Sequence, residues 1–169
     1  MNKKVAIIIA KSKFRDEEYI EPRKALESAG IEVKVFSSVP QTSKGMFGFE
    51  VTPDDIIANL NPEEFSGVIF VGGGGSKEYF DNTVAHDIAK NFNNKGKFVA
   101  AICIAPNILA RAGLLKGKKV CSFPSVKDEL ISHGALVQQD GVASDGNIIT
   151  GTGPEYAALF GQTIVNYLS

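Results

Sequence analysis

The sequence predicts an α/β fold built on a mostly parallel, doubly wound sheet. Short apolar runs rich in β-branched residues recur without polar alternation, which is typical of strands covered on both faces. Segments with helical periodicity separate most of these runs, so right-handed β–α–β crossovers are expected. The 169 residues, 44% of them hydrophobic, are enough for one domain over residues 1–169 with its own core.

The predicted strands are recognised by their continuous apolar character. The clearest is Val5–Ala10, where the run VAIIIA has no polar position. The other predicted strands are Val33–Phe36, Val68–Val71, Phe98–Ile102, Val120–Phe123 and Ile148–Thr150. Asp145-Gly146-Asn147 is typical of a hairpin turn, because Asp-Gly accepts the positive φ angles that such turns need, and an antiparallel edge is expected there.

Four segments are predicted to be helices from their periodicity and their end signals. They are Tyr19–Ala29, Ser76–Asn93, Ala105–Ala112 and Pro154–Leu168. Gly30 and Gly113 directly follow two of them, as expected of residues that take the left-handed cap conformation. Residues 39–55 have no clear period, but they contain Phe47 and Phe49. Exposed aromatics are unusual in a solvated linker, so this segment is expected to pack either on its own domain or on a second subunit.

Composition and charge exclude several classes of protein. The net charge is -1, and the basic residues are scattered among acidic ones, which argues against nucleic acid or an anionic membrane as a partner. Two cysteines without metal-ligand spacing predict neither a disulfide scaffold nor a metal site. The chain start is too short in apolar residues for a signal peptide, and no apolar run is long enough to span a membrane. We therefore expect a cytoplasmic protein without a metal or cofactor.

Candidate functional residues lie where strands end. Ligands of open α/β sheets bind beyond the carboxyl ends of the strands. The three segments at such ends are Lys11–Glu18, Gly72–Gly75 and Cys103–Pro106. We expect these three segments to meet at one site.

Cys103 is the candidate nucleophile. In Ala101-Ile102-Cys103-Ile104-Ala105 a buried strand turns directly into a helix, with alanines two residues away on either side of the cysteine. This is the pattern of a nucleophile elbow, with Cys in place of Ser and Ala in place of Gly. A thiol at a helix N-terminus is also expected to ionise more readily. The alternative is that Cys103 is simply a small buried apolar residue.

The glycine run supplies candidate backbone donors. It lacks the Gly-Lys-Ser/Thr of a phosphate loop and the third glycine of a dinucleotide fingerprint. A backbone N–H of Gly73, together with that of Ile104, would make a two-donor oxyanion hole. The alternative is a flexible turn that needs glycine only for its backbone angles.

Glu18 is the candidate proton carrier. On a helical wheel it shares a face with Pro22, Ala25 and Leu26, whereas Glu17 falls on a polar side. A carboxyl in apolar surroundings has a raised pKa, so Glu18 is expected to be protonated and to hydrogen-bond to Cys103. The alternative is an acid that only complements the helix dipole, an interpretation that suits Glu17 and Asp16.

These motifs together resemble the PfpI/ThiJ family of the class I glutamine amidotransferase-like superfamily. The likeness covers nearly the whole chain, and the family includes intracellular proteases, protein deglycases and glutathione-independent glyoxalases. Its segments here are Asp16–Pro22, Gly72-Gly73, Ala101–Pro106, Leu114–Val120, Phe123-Pro124, Gly134-Ala135, Asp145–Thr150 and Gly153-Pro154.

The resemblance implies a flavodoxin-like three-layer sandwich that forms a homodimer or a larger homo-oligomer. It implies Cys103 as nucleophile, Glu18 as its carboxyl partner, and Gly73 and Ile104 as oxyanion donors. Family members also carry a histidine at one of two places, which Ile104 and Phe123 occupy here. Because triad hydrolysis needs such a base, amide cleavage is disfavoured.

Two classes of function follow. The first is a cofactor-independent enzyme that acts on small reactive carbonyls or glycated adducts, with Cys103 attacking and Glu18 moving protons. The second is a non-enzymatic redox or stress-response protein in which Cys103 is oxidised to a sulfinate. A PfpI-type peptidase or amidase is the further alternative. His86 and His133 lie in helical segments away from strand ends, so neither is expected to be catalytic.

Overall fold

The computed structural model describes residues 2–169 and confirms the α/β class. The strands are β1 Lys4–Ile8, β2 Glu32–Ser37, β3 Ser43–Lys44, β4 Glu50–Val51, β5 Asp55–Ile56, β6 Gly67–Phe70, β7 Phe98–Ile102, β8 Lys119–Val120, β9 Leu136–Val137, β10 Val142–Asp145 and β11 Ile148–Gly151. The α-helices are α1 Asp16–Ser28, α2 Thr83–Asn94, α3 Pro106–Arg111, α4 Lys127–Ser132 and α5 Ala157–Leu168. Short 3-10 turns lie between several of these elements.

The central sheet has the strand order β10-β11-β7-β6-β1-β2-β5. All of its neighbouring strands are parallel except β10, which pairs antiparallel with β11 through the predicted hairpin. The chain moves from β1 to β2 in one direction and from β6 through β7 to β11 in the other. Right-handed crossovers then place α1 and α2 on opposite faces of the sheet. The direction reverses between β1 and β6, so the crevice of the fold lies beyond the carboxyl ends of these strands.

The sheet forms the centre of the core. Residues 5–10, 68–70 and 98–102 are at most 1% exposed, because helices cover both faces. Gly67 faces the Phe98 ring so closely that a Cβ atom on Gly67 would lie 2.2 Å from it. Removing one side chain there makes room for an aromatic ring on the neighbouring strand. Among residues 2–169, none of the helices has the combination of length and apolar character needed to cross a bilayer.

Helices α1 and α5 pack against each other on one face of the sheet. A Cβ atom on Gly161 of α5 would lie 2.7 Å from Pro22 Cα, so the two helix backbones meet at this glycine. The predicted start of α1 at Tyr19 is wrong: the helix begins at Asp16, and Pro22 therefore lies inside it rather than in its first turn. Because proline has no N–H, the Glu18 carbonyl one turn earlier loses its helical partner.

The predicted strand Val120–Phe123 is wrong in most of its length. β8 ends at Val120 and pairs with β9 in a separate two-stranded sheet. The chain leaves the strand because the Cys121 N–H donates to the Thr150 side-chain oxygen at 2.9 Å, and the Phe123 N–H donates to the Cys103 carbonyl at 2.8 Å. Long-range partners thus replace the ladder that the apolar run predicted.

The predicted helix Ser76–Asn93 is two elements. A 3-10 turn covers Gly74–Tyr79, and α2 begins at Thr83. The Asn82 side chain accepts a hydrogen bond from the Ala85 N–H at 3.0 Å, which caps the new helix. The capping residue Asn82 therefore marks the point where the predicted helix divides into a 3-10 turn and α2.

We expect Gly161→Ala to destabilise the protein. The added Cβ would push α1 and α5 apart, and this overpacking outweighs the roughly 1 kcal/mol by which alanine exceeds glycine in helix propensity. The free energy of unfolding in urea should fall by about 1–2 kcal/mol. Gln162→Ala, at the next and exposed position, is the matched control and should change little. Equal or greater stability of Gly161→Ala would contradict the close helix contact.

Candidate active site

The three candidate segments meet at a cleft of about 290 Å³ beyond the carboxyl ends of β1, β6 and β7. The residues that line it are Arg15, Met46, Gly73, Gly74, Lys77, Cys103, Ile104, Phe123, Ser125, Pro154 and Glu155. Larger surface depressions lie elsewhere, but within residues 2–169 neither of the two largest is lined by a cysteine. This cleft is therefore the candidate active site.

Cys103 occupies a strained corner between β7 and α3. Its φ angle is 66°, a left-handed conformation that non-glycine residues rarely adopt. The corner is held from both sides, since the Cys103 N–H donates to the Gly151 carbonyl and the Cys103 carbonyl accepts from Phe123, at 2.9 and 2.8 Å. Such fixation of a strained residue is the geometry of the predicted nucleophile elbow, and it directs the thiol into the cleft.

Two backbone N–H groups, from Gly73 and Ile104, face the Cys103 sulfur. Gly73 has a φ angle of 98°, and a Cβ atom on it would lie 2.4 Å from the Arg15 nitrogen. No other residue type fits there without moving the backbone. The glycine run therefore serves close approach of two chain segments, which places the donor pair beside the thiol.

Glu18 is fully buried, as the helical wheel predicted. A Cβ atom on Gly72 would lie 2.4 Å from Glu18 Oε1 and 2.6 Å from Cys103 Cβ, so the carboxyl, the glycine and the thiol are packed together. Within residues 2–169, neither carboxyl oxygen has a hydrogen bond of ordinary geometry, although the Cys103 thiol and the Gly72 N–H face the group. Glu17, by contrast, is half-buried and pairs with Arg15 at 2.8 Å.

Burial sets the protonation of the carboxyl–thiol pair. It raises the pKa of Glu18 to about 8, against the opposing effects of the Cys103 thiol and the Arg15 charge. Burial, and next the negative charge of Glu18, raise the pKa of Cys103 to about 12, against the effect of the two facing N–H groups. The expectation of a readily ionised Cys103 is therefore wrong for the resting pair. The helix after it, α3, has only six residues, and desolvation outweighs its dipole.

No histidine is among the cleft residues in the part of the chain that the structure describes. His86 Nε2 is hydrogen-bonded to the Phe80 carbonyl at 2.7 Å, and His133 Nδ1 lies 3.0 Å from the Glu129 carbonyl. Cys121 is buried, and its sulfur donates to the Thr150 carbonyl at 3.2 Å, which agrees with a packing role. Over residues 2–169, no cluster of three or more His, Cys, Asp or Glu side chains is arranged to hold a metal ion.

Asp16 is a structurally important residue that sequence reasoning missed. Its buried carboxylate accepts hydrogen bonds from the Phe47 and Phe49 N–H groups, both at 3.0 Å. These bonds fix the loop between β3 and β4 and thereby hold Met46 at the cleft. The backbone of this segment is thus anchored to its own domain, whereas the Phe47 and Phe49 side chains are 69% and 44% exposed, so packing of these rings on a second subunit stays a prediction. The missed signal was a second acid at the first turn of α1, which we interpreted as a partner of the helix dipole.

The arrangement of the site agrees with comparisons to known proteins. Residues 3–167 match the DJ-1/PfpI family, and the chain belongs to this family. An uncharacterised protein of Methanocaldococcus jannaschii is 44% identical over 167 residues, which cover 97% of this chain and 82% of that protein. A deglycase of Pyrococcus horikoshii is 34% identical over 148 residues, covering 88% of this chain and 89% of the relative.

The fold is also closely similar to a solved structure. The crystal structure of a ThiJ/PfpI domain protein from Brachyspira murdochii superposes with a TM-score of 0.97 at 30% identity. The match covers 99% of this chain and 98% of that one. The flavodoxin-like three-layer arrangement implied by the sequence resemblance is therefore the observed fold.

The raised pKa of Glu18 predicts a pH dependence of stability. Its folded value of about 8 exceeds the ordinary value of 4.5, so the unfolded chain loses this proton first. The contribution of this protonated carboxyl to the free energy of unfolding is fully present when the pH is below the ordinary pKa of 4.5. It is lost as the pH rises toward 8. Relative to Glu18→Gln, the native chain should lose about 3 kcal/mol of unfolding free energy between roughly pH 5 and pH 8.

Urea unfolding across this pH range measures the difference. Glu17→Gln is the matched control, because Glu17 lies half-exposed beside Arg15 and its pKa is lowered chiefly by that hydrogen bond. This variant should retain the native pH dependence. A parallel pH profile for the native chain and Glu18→Gln would show that the carboxyl is ionised in the folded state.

Proposed function

We propose that this protein is a cysteine-dependent, cofactor-independent enzyme that acts on small reactive carbonyls or glycated adducts, with Cys103 as nucleophile and Glu18 as proton carrier. The observation that carries the proposal is the buried Glu18 carboxyl packed against the Cys103 thiol, with two N–H groups facing the sulfur. The family assignment and a relative named as a deglycase support it.

The raised pKa of Glu18 suits the first step. A carboxylate that forms near pH 8 is a stronger base than an ordinary one, so proton transfer from the thiol is less unfavourable. In the molecules whose Glu18 is ionised, a fraction that grows as the pH approaches 8, the carboxylate accepts the thiol proton while the sulfur attacks the aldehyde carbon of an α-oxoaldehyde. The S–C bond forms and the C=O π bond breaks. The N–H groups of Gly73 and Ile104 stabilise the oxyanion, which then takes the proton from Glu18 to give a hemithioacetal.

The second stage is a proton shift along the substrate. The Glu18 carboxylate removes the proton from the former aldehyde carbon, so a C=C bond forms and the ketone oxygen becomes an enediolate that takes the hydroxyl proton of the first carbon. Glu18 then delivers its proton to the neighbouring carbon while the C=O bond forms on the first carbon. The product is a thioester of a 2-hydroxy acid, and water then cleaves its C–S bond and restores the thiol. A glycated amine enters the same scheme, because its hemiaminal reversibly releases the α-oxoaldehyde and the free amine. One carboxyl is sufficient for all of these proton transfers.

Methylglyoxal is the simplest test substrate. We expect turnover by the native protein, loss of turnover in Cys103→Ala, and a decrease of about a hundredfold or more in Glu18→Gln, which keeps the shape of the side chain but cannot carry the proton. Formation of the 2-hydroxy acid, followed by chromatography, is the measurement.

Two matched variants serve as controls for methylglyoxal turnover. Glu17→Gln and Cys121→Ser change the same residue types outside the reacting pair and should retain turnover. Equal losses in Glu17→Gln and Glu18→Gln would refute the assignment of the buried acid. Absence of turnover, combined with ready peroxide oxidation of Cys103 to the sulfinate, would instead favour the redox function. One observation favours this second function: within the described residues, no histidine lines the cleft.

Peptide hydrolysis should be weak or absent. Departure of an amine requires a group that first accepts the thiol proton and then donates it to the leaving nitrogen. In related peptidase-type sites a histidine does this, whereas Ile104 and Phe123 occupy those positions here. A fluorogenic peptide series should show no cleavage above that of Cys103→Ala. Efficient cleavage that disappears in this variant would contradict the expectation.

A further inference from the structure

The cleft carries opposite charges at its two ends. Arg15 follows β1 and Lys77 follows β6, whereas Glu155 follows β11. β6 and β7 lie between β1 and β11 in the sheet, so the segment that carries Arg15 and the segment that carries Glu155 reach the cleft from opposite sides. Cys103, at the end of β7, lies between them. A substrate that reaches the thiol therefore meets cations on one side and an acid on the other.

Arg15 is held rigidly at the cation end. Its N–H donates to the Gly72 carbonyl at 2.9 Å, and its guanidinium lies 4.7 Å from the centre of the Phe47 ring. Glu17 binds the Nε and Nη2 groups, and Nη1 has no hydrogen-bond partner within residues 2–169. The Arg15 charge acts on both Cys103 and Glu18. One edge of the guanidinium is therefore fixed close to Cys103 and Glu18, and its Nη1 group can donate hydrogen bonds to a ligand.

Lys77 supplies a second cation without a partner of its own. It lies in the 3-10 turn Gly74–Tyr79, two residues after the last glycine of the run, and is exposed. In the described residues its ammonium group forms no ion pair. Glu155 is the one carboxylate among the described residues that line the cleft, and it forms no ion pair with Lys77. An anion that enters the cleft is therefore the natural partner of both cations.

We propose that Arg15 and Lys77 form a carboxylate-binding subsite beside Cys103, which selects α-oxoaldehydes that bear a carboxylate. The choice of substrate class rests on the proposed function, whereas the subsite itself does not. Glu155 at the opposite end repels the same carboxylate and sets its orientation. The aldehyde carbon then lies over the thiol while the carboxylate points toward β1 and β6.

Alkylation of Cys103 tests the subsite without any turnover. Iodoacetate and iodoacetamide have nearly the same size and react alike: the sulfur forms a bond to the methylene carbon and iodide leaves. Only iodoacetate has a carboxylate. The ratio of their rates at Cys103, followed by peptide mass mapping, is independent of the thiolate fraction because both reagents require the same anion.

We expect the iodoacetate-to-iodoacetamide ratio to fall about threefold to tenfold in Lys77→Gln and in Arg15→Gln. Lys90→Gln removes an exposed lysine of α2 outside the cleft and should keep the native ratio. High salt should lower the native ratio toward that of the variants, because exposed charges are screened. An unchanged ratio in both cleft variants would overturn the proposal.

Turnover then tests the substrate class. The probes are methylglyoxal and 4,5-dioxopentanoate, an α-oxoaldehyde with a terminal carboxylate. We expect kcat/KM to be about tenfold higher for dioxopentanoate in the native protein, and we expect this preference to be lost in Lys77→Gln, mainly through KM. Turnover of both probes without a charge-dependent preference would refute the substrate class but leave the proposed reaction intact. A charge-dependent alkylation ratio without turnover of either probe would support the subsite and refute the reaction.

Discussion

The contact between the Glu18 carboxyl and the Cys103 thiol depends on three parallel strands ending side by side. β7 brings the thiol, β6 brings Gly72, and the segment after β1 leads into the helix that carries Glu18. No side chain fits at position 72, because its first carbon atom would collide with both groups. The same contact requires α1 to enter the fold at Asp16, so that its first turn is buried rather than exposed.

Burying an acid without an ordinary hydrogen bond works against stability. A protonated carboxyl in an apolar site costs less than an ionised one, and the structure accepts that smaller cost. Tight packing elsewhere offsets this cost, as at the α1–α5 contact and in the buried strands β1, β6 and β7. The strained Cys103 backbone is a further local cost, and hydrogen bonds from neighbouring segments on both sides maintain it. Such costs are commonly concentrated at functional sites.

The sequence predicted the parts of the molecule that depend on local patterns. Continuous apolar runs located five strands of the main sheet, the hairpin turn located the β10 edge, and the wheel separated Glu18 from Glu17. The opposite edge strand, β5, was missed, because its two residues form no apolar run. The predicted end of the strand Val120–Phe123 was wrong because the N–H groups of this segment bind Thr150 and Cys103, which are distant in sequence. The ionisation of Cys103 was wrong for a related reason, since desolvation depends on everything packed around the sulfur and not on the helix that follows it.

The anchoring of the β3–β4 loop through main-chain groups has an evolutionary consequence. Asp16 binds the N–H groups of residues 47 and 49, and the Met46 N–H donates to the Phe14 carbonyl at 2.8 Å, so these hydrogen bonds position the loop without using the Met46 side chain. Substitution at position 46 changes the shape and polarity of the cleft wall while the backbone path stays the same. One acid on a helix thus fixes the backbone of the cleft wall independently of which side chain stands at position 46, so this position is free to vary without loss of the loop conformation.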